Sequence, residues 1–297
     1  MSAGNSNRAW WFIAFPLAIV FLFTALPTVV GIGLSFFEWG AATEARSIGF
    51  ENYRALLQDD QQFWRALRNT LIFAVATVPV TLLLAFLFAS AVNAPWFRGR
   101  TVVRTLFFVP TVVSIVAVGF IWQWILDPQA GVLNHLLQSI GVDRMFGRDL
   151  PQWTGESAWS LAAVSFIQVW RTLGFSLVLY LAALSSVPRS LYDAASVDGA
   201  GSWQSLWRIA WPSVWPMTIF LITTGTIAAL QVFDLVWIMT GGAERRWMDV
   251  LNVHLYREFS NNRMGYAAAI GVIVLLLTAI VTLAQLRWML SRGEVRL

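Results

Sequence analysis

Six stretches of this chain are long and apolar enough to cross a bilayer, and no other feature constrains the fold as strongly. A membrane-spanning helix needs about 20 mainly apolar residues. Inside lipid every backbone N–H and C=O must be hydrogen-bonded within the protein, so each stretch is expected to be helical. The stretches are residues 9–37, 69–97, 105–126, 157–188, 209–243 and 264–286. They predict an all-α membrane protein with six transmembrane helices, organised as a single domain over residues 1–297.

Charged side chains are scarce and are almost absent from these stretches. They make up 12% of the chain, against roughly 25% in soluble domains. Arg171 and Asp234 are the two charged residues inside the six stretches. Prolines lie inside several stretches and predict kinks there: Pro16, Pro27, Pro79, Pro110 and Pro216.

The arginines indicate which side of the membrane each connection occupies. Six spans place both termini on one side, together with residues 98–104 and 189–208. Arg98, Arg100 and Arg104 crowd the first of these connections, which contains no acidic residue. Basic residues near span ends favour the cytoplasmic side. The pattern therefore predicts cytoplasmic termini, with the other connections outside: residues 38–68, 127–156 and 244–263.

The connection between the fourth and fifth stretches, residues 188–212, is longer and more patterned than a linker requires. We refer to it as the 188–212 loop. Pro188 suits the first turn of a helix, and residues 189–197 can form two turns. Asp198 and Gly199 are a turn signal, because glycine adopts positive φ at little cost.

A second short helix is predicted after this turn. Ser202 can cap it, and it is expected to end before Pro212. Periodicity leaves two interpretations open, an elbow that lies on the lipid surface or an elbow that offers an adhesive apolar face. Four residues at helical spacing form that face: Trp203, Leu206, Trp207 and Ala210.

The segment PRSLYDAASVDGAGSWQSLWRIAWPSVWP resembles the cytoplasmic EAA loop of permease subunits in binding-protein-dependent ABC importers. Asp193 stands where that pattern usually has Glu, and Trp211 where it has Leu. The resemblance extends over nearly the whole chain. FFVPTVVSIVAVGFIWQWILDPQAGVLN, SFFEW, IGFENYRALL and FDLVWIMTGG are similar to segments of the carbohydrate-type permeases, which include maltose and glycerol-phosphate permeases.

This resemblance implies a type I ABC importer permease fold in which the loop forms a coupling helix that docks on a cytoplasmic ATPase. The coupling residues it implies are Tyr192, Asp193, Ala194, Ala195, Asp198, Gly199 and Ala200. It also implies a carbohydrate-like solute, namely a sugar, oligosaccharide, polyol or glycerol phosphate. The implied partners are a second homologous permease, two ATPase subunits or domains, an extracytoplasmic solute-binding protein and membrane lipid, without nucleic acid. The implied location is the cytoplasmic membrane of a bacterium or archaeon.

The energy for transport is expected to come from outside this chain. A Walker A phosphate loop needs a lysine, and the chain has none. We therefore expect no cofactor in the chain, with ATP and magnesium on the partner ATPase. A stand-alone secondary transporter is the alternative, but ion-driven transport usually requires several intramembrane ionisable groups. No catalytic nucleophile–base arrangement or metal site is apparent, so a membrane-embedded enzyme is disfavoured.

Arg171 and Asp234 admit two interpretations. As charged groups inside the membrane they are candidates for the wall of a solute path, together with three residues near them in sequence: Trp170, Phe175 and Gln231. Alternatively they are structural, either as an ion pair that fixes the fourth span against the fifth or with Asp234 near the outer interface. His135 and His254 are expected to be surface residues of outer loops.

Overall fold

The structure is a computed structural model that describes residues 4–41, 43–94, 96–141, 150–155 and 157–291. Helices form most of this part of the chain, as the apolar stretches predict. They are α1 Gly4–Val20, α2 Leu26–Leu34, α3 Glu51–Gln58, α4 Gln61–Asn93, α5 Arg100–Val112, α6 Ile115–Ile125, α7 Val132–Ser139, α8 Ala158–Ser185, α9 Arg189–Val197, α10 Ser202–Ser205, α11 Trp211–Ser213, α12 Trp215–Leu230, α13 Asp234–Thr240, α14 Leu251–Ser260 and α15 Met264–Ser291. Two π-helical segments continue the helical backbone, Phe21–Ala25 between α1 and α2 and Leu206–Ala210 between α10 and α11. Of the termini predicted to be cytoplasmic, residues 1–3 and 292–297 lie outside the described residues.

The chain divides into two compact units. The first takes the residues up to Phe63 and the segment His254–Leu276, and the second takes Trp64–Val253 and the residues from Leu277 onwards. Each unit is therefore built from two separate stretches of sequence. The interpretation of the whole chain as one domain stays a prediction.

A short β-hairpin in the first unit was not predicted. β1 Phe37–Gly40 pairs antiparallel with β2 Thr43–Ser47. The side-chain amide of Asn52 donates to two backbone carbonyls at the base of the hairpin, at 2.9 and 3.0 Å. Because the backbone enters this strand, the first membrane helix ends at Leu34 rather than at residue 37.

Five of the described helices or helix pairs are long and apolar enough to cross a bilayer without a sharp bend. They are Phe12–Leu34, Gln61–Asn93, Trp159–Ser185, Trp215–Thr240 and Met264–Met289. They coincide with five of the six predicted stretches. The fourth of them contains a short non-helical break between α12 and α13.

The remaining predicted span, residues 105–126, is a bent pair of helices. α5 and α6 meet at an angle of 97°, and Val113 and Ser114 between them have extended backbone, with ψ of 141° and 130°. Pro110 lies inside α5, and a proline disturbs the helical turn that precedes it. The break follows Pro110 instead, within a run of β-branched residues that favours extended backbone over helix.

A contact within the second unit indicates that the bent pair crosses the membrane. The side-chain amide of Asn69, near the start of α4, donates to the carbonyl of Asp249 after α13, at 3.0 Å. Two bonded residues lie on the same side of the membrane, so an even number of crossings separates them. α4, α8 and the α12–α13 span account for three. The bent pair supplies the fourth, which agrees with the six predicted transmembrane helices.

Two apolar clusters hold the second unit together. The Ile167 cluster joins α4, α6, α8, α13 and the residues that follow α13. The Tyr180 cluster joins α4, α8, α12 and the helix before α12, and in it the Tyr180 hydroxyl donates to Thr218 at 3.1 Å. Gly174 of α8 lets α5 approach so closely that an added methyl group would collide with the Phe107 carbonyl. The Tyr180 cluster also contains Ala210 of the 188–212 loop, so this loop continues directly into the packed core.

Candidate functional site

The first helix of the 188–212 loop forms as the sequence predicts. Helix α9 covers residues 189–197 as predicted, but Pro188 stands at the N-cap position before it, with φ of −60° and an extended ψ of 130°, and not within its first turn. Asp193 and Val197 are exposed on α9, and the Val197 side chain is 87% exposed. Tyr192 is half-buried, and this burial raises the pKa of its phenol.

The turn after α9 is a Schellman motif, which gives a physical reason for the small residues of the loop. Gly199 has φ of +77°, as predicted. The N–H of Ala200 donates to the carbonyl of Ala195 at 2.8 Å, and the N–H of Gly199 donates to Ser196 at 3.1 Å. These two bonds define the motif, in which glycine supplies the left-handed residue and two apolar residues meet across the turn. Ala195 and Ala200 occupy those two apolar positions, and Asp198 is the exposed residue before Gly199.

The second helix of the loop differs from the prediction in two respects. Ser202 is its first residue and not its cap, because Gly201 holds the cap position and donates its N–H to Gln204 Oε1 at 3.3 Å. The helix also does not end before Pro212. It continues from α10 through the π-helical segment and α11 as far as Ser213, since a proline in the first turn of α11 needs no N–H partner.

The apolar stripe on this helix packs mostly against the chain's own core. Leu206, Trp207 and Ala210 belong to or contact the Tyr180 cluster, and the Trp207 ring lies 5.8 Å from the Phe86 ring. The prediction of a wholly adhesive face is therefore wrong for these three residues. Trp203 is the exception, because its side chain is 67% exposed.

A cleft of about 690 Å³ lies between α9 and the ends of α4 and α8. Its lining includes Ser90, Asn93, Ser185 and Tyr192. Arg100 also lines it and donates to the Ala94 carbonyl at 2.8 Å, at the end of α4. The cleft separates part of α9 from the spans, so α9 is joined to the core through Pro188 at one end and the helix after Gly201 at the other.

The candidate solute-path residues lie in two places within the second unit. On α8, Trp170 is partly exposed and packs edge-to-face on Trp122 at 5.7 Å, and Phe175 is exposed. Gln231 lies in the break between α12 and α13 and Asp234 begins α13, both exposed. No hydrogen bond joins the two places in the part of the chain that the structure describes.

Arg171 and Asp234 do not form the ion pair that one interpretation predicts. Their charges attract each other, but no N–O distance of 4.0 Å or less joins them among the described residues. Arg171 Nη2 donates to Gln168 Oε1 at 3.4 Å. Its Nε is buried and has no hydrogen-bond partner within the described ranges, so this guanidinium retains an unused donor inside the membrane.

His254 corrects the expectation that both histidines lie on the surface. His135 is exposed, but His254 is 2% exposed and its Nε2 lies 2.8 Å from Asp60 Oδ2. The same carboxylate accepts from Tyr266 at 2.8 Å and, through Oδ1, from the Phe63 N–H at 2.9 Å. Sequence reasoning missed this cluster because Asp60 and His254 are distant in the chain, and the residues next to each of them in sequence give no sign of the other. Burial alone would raise the pKa of Asp60, but the three donors lower it below its usual 3.8.

The comparisons agree with this architecture. Residues 62–288 match the model of the family described as "Binding-protein-dependent transport system inner membrane component". The probable ABC transporter permease protein YurN of Bacillus subtilis is 31% identical, over 98% of this chain and 99% of its own length. The diacetylchitobiose uptake system permease NgcF of Streptomyces coelicolor is 34% identical, over 92% of this chain and 80% of its own.

Structural similarity points in the same direction. A chain of a bacterial alginate ABC transporter, solved with its alginate pentasaccharide-bound periplasmic protein, is similar with a TM-score of 0.80 and 27% identity. The match covers 95% of this chain and 94% of the other. Since the family model spans most of the sequence and the fold matches along nearly all of it, this chain belongs to the family of binding-protein-dependent transport system inner membrane components.

Proposed function

We propose that this multi-pass membrane protein is the permease subunit of an ABC importer that carries a carbohydrate-like solute across the cytoplasmic membrane. The names of two similar proteins support the solute class, because NgcF takes up diacetylchitobiose and the alginate transporter imports a polysaccharide. A sugar, oligosaccharide, polyol or glycerol phosphate fits a path with exposed aromatic rings and hydrogen-bonding side chains. The chain is a transport component and performs no catalysis of its own.

The observation that carries this proposal is the construction of the 188–212 loop. Leu191, Asp193, Val197 and Trp203 are exposed, while the helix that follows Gly201 is packed into the Tyr180 cluster. The Schellman turn at Gly199 fixes the angle between the two parts. A partner that displaces α9 would therefore transmit the displacement to α12. In this proposal the partner is an ATPase subunit or domain, which binds ATP and magnesium.

The complete assembly in this proposal has two ATPase subunits or domains, a second homologous permease that forms a heterodimer with this chain, and an extracytoplasmic solute-binding protein. The 188–212 loop and both termini face the cytoplasm. The arginine cluster at Arg98, Arg100 and Arg104 supports this orientation, because basic residues concentrate in short cytoplasmic loops.

Within the membrane we propose that Trp170, Arg171, Phe175, Gln231 and Asp234 line the solute path. The unused buried Nε–H of Arg171 supports a polar ligand there, since an unpaired buried donor is costly unless something occupies it during function. The exposed rings on α8 suit the apolar faces of sugar rings.

The coupling role is tested by two tryptophans in the same helix. Trp203→Ala removes an exposed ring and is expected to weaken co-purification of the ATPase at least about threefold, with little change in the thermal midpoint. Trp207→Ala removes a ring packed on Phe86 and is expected to lower that midpoint, because large core truncations cost about 3–5 kcal/mol. Equal ATPase binding in wild type and Trp203→Ala, together with solute uptake that follows an ion gradient and not ATP, would contradict the proposal.

A further inference from the structure

Two arginines converge on one tryptophan at the end of α4 opposite the 188–212 loop. The guanidinium carbons of Arg68 and Arg246 each lie 5.8 Å from the centre of the Trp247 ring. Arg68 and Arg246 are exposed, and Trp64 is exposed one helical turn before Arg68. We call these four residues the Arg–Trp surface: Trp64, Arg68, Arg246 and Trp247.

The Arg–Trp surface stands on a backbone that is already fixed. Asn69 Nδ2 donates to the Arg246 carbonyl at 3.2 Å and to the Asp249 carbonyl at 3.0 Å. The Leu251 N–H donates to Thr70 Oγ1 at 3.0 Å. Met248 and Val250 are fully buried beside it. Little conformational entropy is therefore lost when this surface binds something, and such preorganisation favours affinity.

The positive charge of this surface forms no ion pair with the residues that the structure describes. Neither Arg68 nor Arg246 has a carboxylate oxygen within 4.0 Å in the ranges that the structure describes. Two cations held against one ring repel each other. An anionic partner would relieve that repulsion, and arginine and tryptophan are the residues most enriched at the energetic centres of protein interfaces.

The position of the surface selects the partner. Arg68 lies about 37 Å along α4 from Asn93, which lines the cleft beside α9. In the proposed orientation the Arg–Trp surface therefore faces the outside. A lipid phosphate is the competing anion at this position, and the choice of lipid in the test below distinguishes it from a carboxylate of a protein partner.

We propose that the Arg–Trp surface binds carboxylate groups on the solute-binding protein and so fixes where that protein docks. This proposal rests on the proposed function. Charge complementarity of this kind raises association rates and makes them dependent on salt. The occupant is thus an acidic patch of a folded protein, with an aromatic or aliphatic contact against Trp247.

The test measures binding of the system's own solute-binding protein, loaded with solute, to the purified importer in nanodiscs of zwitterionic lipid. The double variant Arg68→Glu/Arg246→Glu is expected to bind at least about tenfold more weakly, with a reduced dependence on salt. The milder Arg68→Gln/Arg246→Gln is expected to show a smaller loss in the same direction. The glutamine variant keeps the test decisive if the double glutamate variant fails to assemble.

The matched control is Arg46→Glu/Arg54→Glu, which makes the same change in net charge at two other exposed arginines of the predicted outer connections. It is expected to bind within about twofold of wild type. Equal loss in both double variants, or no loss in either Arg68/Arg246 variant, would overturn the proposal.

Two further outcomes separate the alternatives. If the defect appears in nanodiscs with anionic lipid and is absent in zwitterionic ones, the surface binds lipid headgroups and the proposal is wrong. If the wild-type importer itself fails to bind its solute-binding protein, the proposed function fails. Normal wild-type binding with unaffected variants refutes the docking site alone.

Discussion

The two ends of α4 are held in different ways. At the Asn93 end, α9 lies beside a cleft, and its bonds are mainly local, such as Ser196 Oγ to the Asp193 carbonyl. At the Arg68 end, Asn69 and Thr70 bond directly to the segment that follows α13. At the Asn93 end, α9 can therefore be displaced by a bound partner, whereas the surface at the Arg68 end is held in place.

This difference is what a coupled transporter requires. An element that transmits force must be stiff along its length and free at its contact surface, and α9 with its Schellman turn has this construction. An element that recognises a partner gains from being immobile before contact.

The largest expected effect comes from the turn that makes α9 stiff. Gly199→Val places a β-branched residue at φ +77°, where the left-handed conformation costs about 1–2 kcal/mol. The change is expected to abolish most of the stimulation of ATP hydrolysis by the loaded solute-binding protein. The measurement is ATPase activity of the reconstituted importer with and without that protein.

Gly201→Val is the matched control for this prediction. Gly201 has φ of −72° and ψ of 165°, which valine adopts readily, and neither glycine has an atom within 4 Å of an added Cβ. Gly201→Val is therefore expected to retain stimulation. Full stimulation in Gly199→Val would show that the stiffness of this turn is irrelevant to coupling.

An intermediate effect is expected from the anchor at the opposite end. Asn69→Ala leaves two backbone carbonyls without their donor, at a cost of about 1–3 kcal/mol for each buried one. The thermal midpoint of the purified importer is expected to fall clearly. Asn252→Ala, which breaks one more exposed bond to the Gln231 carbonyl, is expected to lower it less. Equal midpoints in the two variants would show that the Asn69 bonds stabilise the protein no more than a single exposed bond does.

The smallest effect concerns a carboxylate of the first unit that, unlike exposed Asp193, is held by three donors. Because these donors lower the pKa of Asp60 below 3.8, the ionised form contributes stability that is complete above about pH 4 and is lost as pH falls through the lower folded value. Wild type is expected to lose more stability than Asp60→Asn between neutral pH and pH 3. Parallel thermal-midpoint curves for the two proteins would contradict this.

Sequence reasoning succeeded where the signal was local. Apolar runs located the spans, and the Asp-Gly pair located the positive φ at Gly199. It failed where the partner was remote, as for the Asp60–His254 bond and for Trp207, whose burial depends on Phe86. A kink was predicted at Pro110, but the 97° bend lies at Val113–Ser114, because proline marks a helix interruption without determining which following residues become extended.

The close approach at Gly174 has a mechanical consequence. The Phe107 carbonyl packs directly against the Cα of that glycine. Sliding α5 along α8 would first require the two helices to separate, so we expect them to move together as one rigid body. Relative motion then concentrates where the backbone departs from helix, at Val113–Ser114 and between Leu230 and Asp234. In the proposed transport cycle we therefore expect the torsions at these two joints, rather than the bending of any helix, to limit how far the helices of the second unit move relative to one another.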